Sequence, residues 1–193
     1  MAPLLDLSVR ELLDAAASND PTPGGGSLAA VTAALAAGLV AMAARNSQDW
    51  SEAGGVAAQA TTLRERLEAL APENDEAYER AIAALYRPEE LEEPRGDEVL
   101  GRLLERAAAI PLAIAEVAAN VAELAAVVSE DGDPRTRGDA AAGAMLALGA
   151  TRAAAHLVEI NLGVRDLDER RVRATRFAAD AAAASARTLA VRT

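Results

Sequence analysis

Residues 21–27 read Pro-Thr-Pro-Gly-Gly-Gly-Ser, and no other stretch of the sequence is better suited to hold a ligand. Three consecutive glycines strip side chains from the backbone just before an apolar segment of helical character. Backbone amides at a helix N-terminus are then open to close approach, and the helix dipole favours a negative or polarised group there. The same composition also makes a tight turn between packed helices. It is not a P-loop, because no Gly-Lys-Ser/Thr follows. A second polar loop, residues 132–139, reads Gly-Asp-Pro-Arg-Thr-Arg-Gly-Asp. It presents Arg135 and Arg137, which can grip carboxylates bidentately. It also places Asp139 where a helix would start, as an N-cap. His156 lies mid-helix with nothing nearby in sequence to pair with, so it reads as a packing residue. Asn120 and Asn161 sit in apolar helical surroundings, and each needs an interhelical bond or a ligand. Trp50, Tyr78 and Tyr86 are rare flat surfaces in this chain. Packing accounts for each, and Tyr78 could also stack on a heterocycle.

Composition removes whole classes of chemistry. The chain has no cysteine, and all 19 basic residues are arginine. Disulfides, thiolate zinc sites, thiol nucleophiles and lysine Schiff bases are therefore excluded. The single histidine excludes a multi-histidine metal site. A net charge of -11 argues against a duplex nucleic-acid partner, which needs cationic side chains to neutralise phosphates. The first residues lack a basic region followed by an apolar run, so no secretory signal is expected, and the expected location is cytoplasmic. Residues 28–44 are apolar apart from Thr32 and reach the lower length limit of a membrane span. Most of them are alanine or glycine, Arg45 and Asn46 close the stretch, and no second span is expected. A helix buried on all sides of a soluble bundle, rather than a membrane segment, is the reading adopted.

The elements that must position these residues follow from the same composition. About a quarter of the chain is alanine and 2% is aromatic, which favours helix over strand. Helices are expected over about 8–18, 27–46, 56–70, 73–86, 97–129, 139–161 and 165–191. Ser8 and Glu11 have capping-box spacing. Ser27 is placed to cap the second helix, Gly54-Gly55 punctuates the next segment, and Pro72 fits the first turn of a fourth helix. Pro111 falls inside a long helix, where it removes one backbone hydrogen bond. Residues 87–96, rich in glutamate and proline, read as an exposed connection. The expectation is one domain over 1–193, an all-α, up-and-down bundle of about six or seven helices.

The string PTPGGGSLAAVTAALAAGLVAMAARNS resembles the signature of the cyclodeaminase/cyclohydrolase family. That family includes the C-terminal domain of formiminotransferase-cyclodeaminase and stand-alone methenyltetrahydrofolate cyclohydrolases. The likeness extends through LRERLEALAPENDEAYERAIAAL, through the helix around Pro111, through GDPRTRGDAAAGAMLA, and to Ile160-Asn161-Leu162. It implies an all-helical homodimer with a site for a tetrahydrofolate derivative in a cleft at the subunit interface, without metal or other cofactor. The implied chemistry is hydrolysis of 5,10-methenyltetrahydrofolate to 10-formyltetrahydrofolate, or cyclisation of 5-formiminotetrahydrofolate with loss of ammonia. Carried onto this sequence, Asp75 and Asp139 are the implied acid/base residues. Pro23, Gly24, Gly25, Gly26, Ser27, Asn46, Tyr78, Arg137 and Asn161 are the implied substrate contacts. The sequence departs from the family pattern in three places, one of them Gly132-Asp133, where the family has Gly-Asn and the aspartate adds negative charge near any acidic folate tail. The family's Gly-Lys-Lys after the second helix is replaced here by Ser-Gln-Asp-Trp after Asn46. The aspartate four residues before its aromatic is Asn74, with Asp75 beside it. Either Asp75 serves in its place, a change of about 100° around the helix, or the chain is a folate-binding or scaffold protein of the same fold with weakened or lost activity.

Overall fold

The computed structural model describes residues 3–86, 97–163 and 168–191. Among them lie six α-helices and no strand: α1 (Val9–Ala16), α2 (Gly25–Asn46), α3 (Ala53–Tyr86), α4 (Asp97–Asp131), α5 (Arg137–Leu162) and α6 (Glu169–Ala190). Single 3₁₀ turns at Leu4–Asp6 and Pro134–Thr136 precede α1 and α5. The all-α bundle expected from composition is what forms. The expected exposed connection at 87–96, and the first residues of the expected last helix, lie outside the described residues.

Alanine sets the spacing. α2 packs against α3, α4 and α5, and α4 packs against α3, α5 and α6. The surfaces that meet are Ala30, Ala33, Ala37 and Ala44 of α2, Ala115, Ala118, Ala122 and Ala125 of α4, and Ala140, Ala144 and Ala147 of α5. Such small side chains bring helix axes to the near end of the usual 8–10 Å range. At Gly143 α5 comes close to α2, for a Cβ there would lie 3.1 Å from Val40 Cγ2 and 3.3 Å from the Ala36 carbonyl. Leu67, Ile114, Val117, Val121, Val128 and Val158 fill the remaining volume. Three stretches, Gly25–Asn46, Val99–Asp131 and Pro134–Leu162, are long and apolar enough to cross a membrane, where the sequence reading allowed one. Inside the bundle 61%, 67% and 44% of their apolar windows are buried, so helix packing accounts for most of the apolarity of the first two.

Several boundaries differ from expectation. α3 runs unbroken through Gly54, Gly55 and Pro72, where two helices were expected. Leu67, Leu70 and Ala71 before Pro72 and Asn74, Ala77 and Ala81 after it are all buried. That continuous face outweighs the lost hydrogen bond. Pro72 itself is exposed, so the carbonyl one turn back can be hydrated. α2 starts two residues earlier than expected, with Gly24 as its N-cap, so Ser27 sits in the first turn instead of capping it. Asp139 likewise lies in the first turn of α5, whose cap position is Thr136. Ser8 does form the capping box with Glu11. Asn120 is exposed and needs no buried partner. His156 is also exposed, 3.9 Å from Glu159 through Nδ1, so it is not the packing residue expected.

Candidate active site

The Pro-Gly-Gly-Gly-Ser segment ends as the first turn of α2. The first backbone bond within the helix runs from the Leu28 amide to the Gly24 carbonyl, 3.1 Å. The amides of Gly25, Gly26 and Ser27 are therefore the unspent donors that every helix N-terminus carries. Opposite them stands α3. Asp75 accepts a hydrogen bond from the Ser27 hydroxyl through Oδ1, and the Gly24 amide approaches the same oxygen at 3.4 Å. One turn further along α3, Glu79 accepts from the Thr22 hydroxyl at 2.5 Å. Two carboxylates of one helix thus hold the loop at successive points.

Behind the loop, Gly26 rests on Asn74, and a Cβ at this glycine would run into the Asn74 amide group. Gly25 differs. It is exposed, and the nearest atom to a Cβ there is Leu157 Cδ1 at 3.9 Å, ordinary contact. The open side of Gly25 belongs to a cleft of about 160 Å³. Its walls are Pro21 and Gly24–Gly26 from the loop, Asn74, Asp75 and Tyr78 from α3, Ala107 and Pro111 from α4, and Leu157 and Asn161 from α5.

The fourth wall is built from a missing hydrogen bond. Pro111 has no N–H, so the carbonyl four residues back, Ala107, lacks its helical donor. Asn161 supplies it from the neighbouring helix, Nδ2 to the Ala107 carbonyl at 2.6 Å. Both residues line the cleft, so the bond fixes where the Asn161 amide sits and leaves its oxygen as an acceptor.

Burial raises the pKa of Asp75 above the ordinary carboxylate value, because the apolar wall disfavours the charged form. The hydrogen bonds from Ser27 and Gly24 oppose that rise, and the negative charge of Glu79 adds to it. The result is a half-buried carboxylate with increased proton affinity, aligned on free helix amides.

With this geometry in place, comparison with known proteins becomes informative. The profile of the family described as formiminotransferase-cyclodeaminase matches residues 8–181. The chain belongs to the formiminotransferase-cyclodeaminase family. A methenyltetrahydrofolate cyclohydrolase from Methylorubrum extorquens is 29% identical over 172 residues, covering 84% of this chain and 82% of that protein. The crystal structure of a formiminotetrahydrofolate cyclodeaminase from Thermotoga maritima matches with a TM-score of 0.84 at 23% identity, over 96% of each chain. That likeness is one of fold.

Of the residues this cyclodeaminase-family chain was expected to use, Gly24, Gly25, Gly26, Ser27, Asp75, Tyr78 and Asn161 come together around the cleft. Pro23 is buried in the loop behind it. Asn46, Arg137 and Asp139 do not join them. They lie at the far end of α2 and the near end of α5, and twenty helical residues from Arg137 to Leu157 span about 30 Å. Asn46 there donates to the Met42 carbonyl at 3.0 Å, Arg137 donates to the Ser129 carbonyl at 3.1 Å, and Asp139 is exposed. That end holds a separate hollow of about 360 Å³ lined by Ser47, Asp49, Trp50 and residues 131–134. Beside it Arg135 grips Asp133 through both carboxylate oxygens, holding that acid down at about 2. Sequence reading missed Thr22, Ala107, Leu157 and Glu79 as site residues. Two of them left a signal: Thr22 lies within the glycine loop itself, and Glu79 follows Asp75 by one helical turn.

Proposed function

We propose that the chain is a folate-dependent one-carbon enzyme, hydrolysing 5,10-methenyltetrahydrofolate to 10-formyltetrahydrofolate or cyclising 5-formiminotetrahydrofolate with loss of ammonia. The named relatives support the substrate class. The observation that carries the reading to this chain is the Asp75 carboxylate, half-buried and aligned on the α2 amides inside a ring-sized cleft. In the hydrolysis, water attacks the cationic amidinium carbon and loses a proton to Asp75. The bond from that carbon to N5 then breaks as N5 takes the proton back from Asp75, and the carbinol hydroxyl gives up its remaining proton to solvent as the formyl C=O forms, so the cation is discharged with one proton released overall. In the cyclisation, N10 attacks the formimino carbon and ammonia leaves. Both reactions are proton transfer plus positioning, and the proposal includes no cofactor. Negative charge on Asp75 also suits a cationic substrate, and the free amides of Gly25 and Gly26 suit a carbonyl oxygen of its ring.

A cleft of about 160 Å³ is smaller than the roughly 300–1,000 Å³ of complete small-molecule sites. It accommodates a ring rather than a whole folate. That shortfall supports a homodimer in which a second copy completes the wall. An apolar hollow over α2, lined by Leu5, Val31, Leu35 and Leu39, is a surface such a partner could cover. Cytoplasmic one-carbon metabolism is the setting proposed.

The test is the loss of methenyltetrahydrofolate absorbance over the buffer rate. Wild type is expected to accelerate it, and Asp75→Asn to lose about 10²–10⁴-fold in kcat, the usual worth of a positioned general base. Tight folate binding with no acceleration would instead make the chain a binding protein. Sedimentation at micromolar concentration is expected to show a dimer, and a monomer alone would remove the shared site.

A further inference from the structure

We propose that Glu79 is a positioning residue for Asp75: fastened by the Thr22 hydroxyl, it clamps the glycine loop to α3 and holds the Asp75 carboxylate against Gly24 and Ser27. The inference rests on the reading of Asp75 as the proton acceptor. Glu79 follows Asp75 by four residues and so lies on the same face of α3, one turn on. Thr22 is buried, at 8% exposure, and its hydroxyl reaches Glu79 Oε1 at 2.5 Å. Asp75 holds the loop two residues later, at Gly24, and again at Ser27. One attachment would let the loop pivot on the helix. Attachments at Thr22 and Gly24 fix both its position and its rotation, and with them the direction of the free amides. A charged acceptor makes such a bond roughly twice as strong as a neutral one, which suits an anchor made by a partly exposed residue.

The same carboxylate acts on Asp75 through space. A carboxylate one turn away disfavours ionisation, and Glu79 adds to the upward push that burial exerts on Asp75. The residues lining the cleft from other elements bring no charge: Gly24–Gly26 from α2, Ala107 and Pro111 from α4, Leu157 and Asn161 from α5. Ser27 reaches Asp75 as a neutral donor, and Tyr78 is the other titratable side chain of α3 that lines the cleft. Arg106 of α4 pairs with Glu73 of α3 at 4.0 Å, Arg80 pairs with Glu76 on α3 at 3.7 Å, and on α5 His156 lies 3.9 Å from Glu159.

Charge and clamp separate experimentally in the full-length chain. Glu79→Gln keeps an acceptor for Thr22 but removes the charge. Its Asp75 titration midpoint, followed by carboxyl ¹³C NMR, and the acid limb of its kcat/KM profile are expected to move to lower pH, with KM within about twofold of wild type. Glu79→Ala and Thr22→Val remove the clamp. Both are expected to raise KM about tenfold, the size of one hydrogen bond to a charged group, and Thr22→Ser is expected to restore it. An unmoved Asp75 midpoint in Glu79→Gln overturns the electrostatic role, which a merely structural residue would not show. Wild-type KM in Thr22→Val overturns the clamp, whether or not Glu79→Ala folds. Full activity in Asp75→Asn would defeat the reading of Asp75 itself. An inactive Asp75→Asn beside wild-type Glu79 and Thr22 variants would defeat this inference alone.

Discussion

Gly26 is glycine because of what lies behind it, and Gly25 because of what lies in front. At Gly26 the Asn74 amide occupies the space a side chain would need. Gly26→Ala is therefore expected to push loop and α3 apart and to destabilise the protein by about 1–3 kcal/mol, as overpacking does. At Gly25 the backbone has room for a Cβ, but the room is the cleft. Gly25→Val is expected to leave the melting temperature within a few degrees of wild type and to abolish folate binding. Unchanged affinity would show that the ligand does not contact this stretch of backbone. The two glycines are identical in sequence, and only the position of Asn74 distinguishes them. Their neighbours Asn74 and Asp75 carry the same lesson. The sequence left open whether an aspartate displaced by one position could serve. In the fold Asn74 turns to the back of Gly26, while Asp75 faces Ser27 and Gly24, so both positions touch the loop from one helix.

Two prolines inside helices have opposite consequences, and neither consequence is local. Pro111 leaves the Ala107 carbonyl unpaired inside the bundle, and Asn161 answers it from α5. The sequence shows both halves, a proline that removes a bond and an asparagine in need of a partner. It could not join them, because residues 50 positions apart meet only through helix packing. Pro72 leaves its unpaired carbonyl on the outer side of α3, and the helix continues because the face on the other side stays buried from Leu67 to Ala81. An expectation that proline starts a new helix weighs the backbone alone. The measurable consequence is that α3 carries a removable defect. Pro72→Ala restores one backbone donor at an exposed site and is expected to raise unfolding free energy by about 1–3 kcal/mol. Urea titration showing no gain would mean that α3 has already relaxed around the proline.

At the scale of the molecule, helix length decides which loops can share a site. The composition made the all-α bundle and its central apolar helix legible, and the glycine loop was legible as a ligand-holding turn. Within one chain Asn46, Arg137 and Asp139 do not join that loop, since α2 and α5 span roughly 30–40 Å and carry them to the other end. The end that does hold the loop concentrates the bundle's costs. Burial raises the pKa of Asp75 above the ordinary carboxylate value, so the folded state binds that proton more tightly than the unfolded chain does. By linkage, stability then falls as pH rises from the ordinary carboxylate value through the raised one. Asp133 runs the other way. Arg135 holds it at about 2, so its contribution is present above the ordinary carboxylate value and is lost as pH falls through about 2. Asp75→Asn keeps an oxygen for Ser27 and Gly24 to donate to and removes the disfavoured charge. It is therefore expected to melt at a higher temperature than wild type at pH 7, and at about the same temperature near pH 3.5. The residue on which turnover is proposed to depend would then be one the fold is more stable without, the pattern expected where activity is held against stability. A lower melting temperature for Asp75→Asn at pH 7 would show instead that its hydrogen bonds to the loop outweigh the burial of its charge.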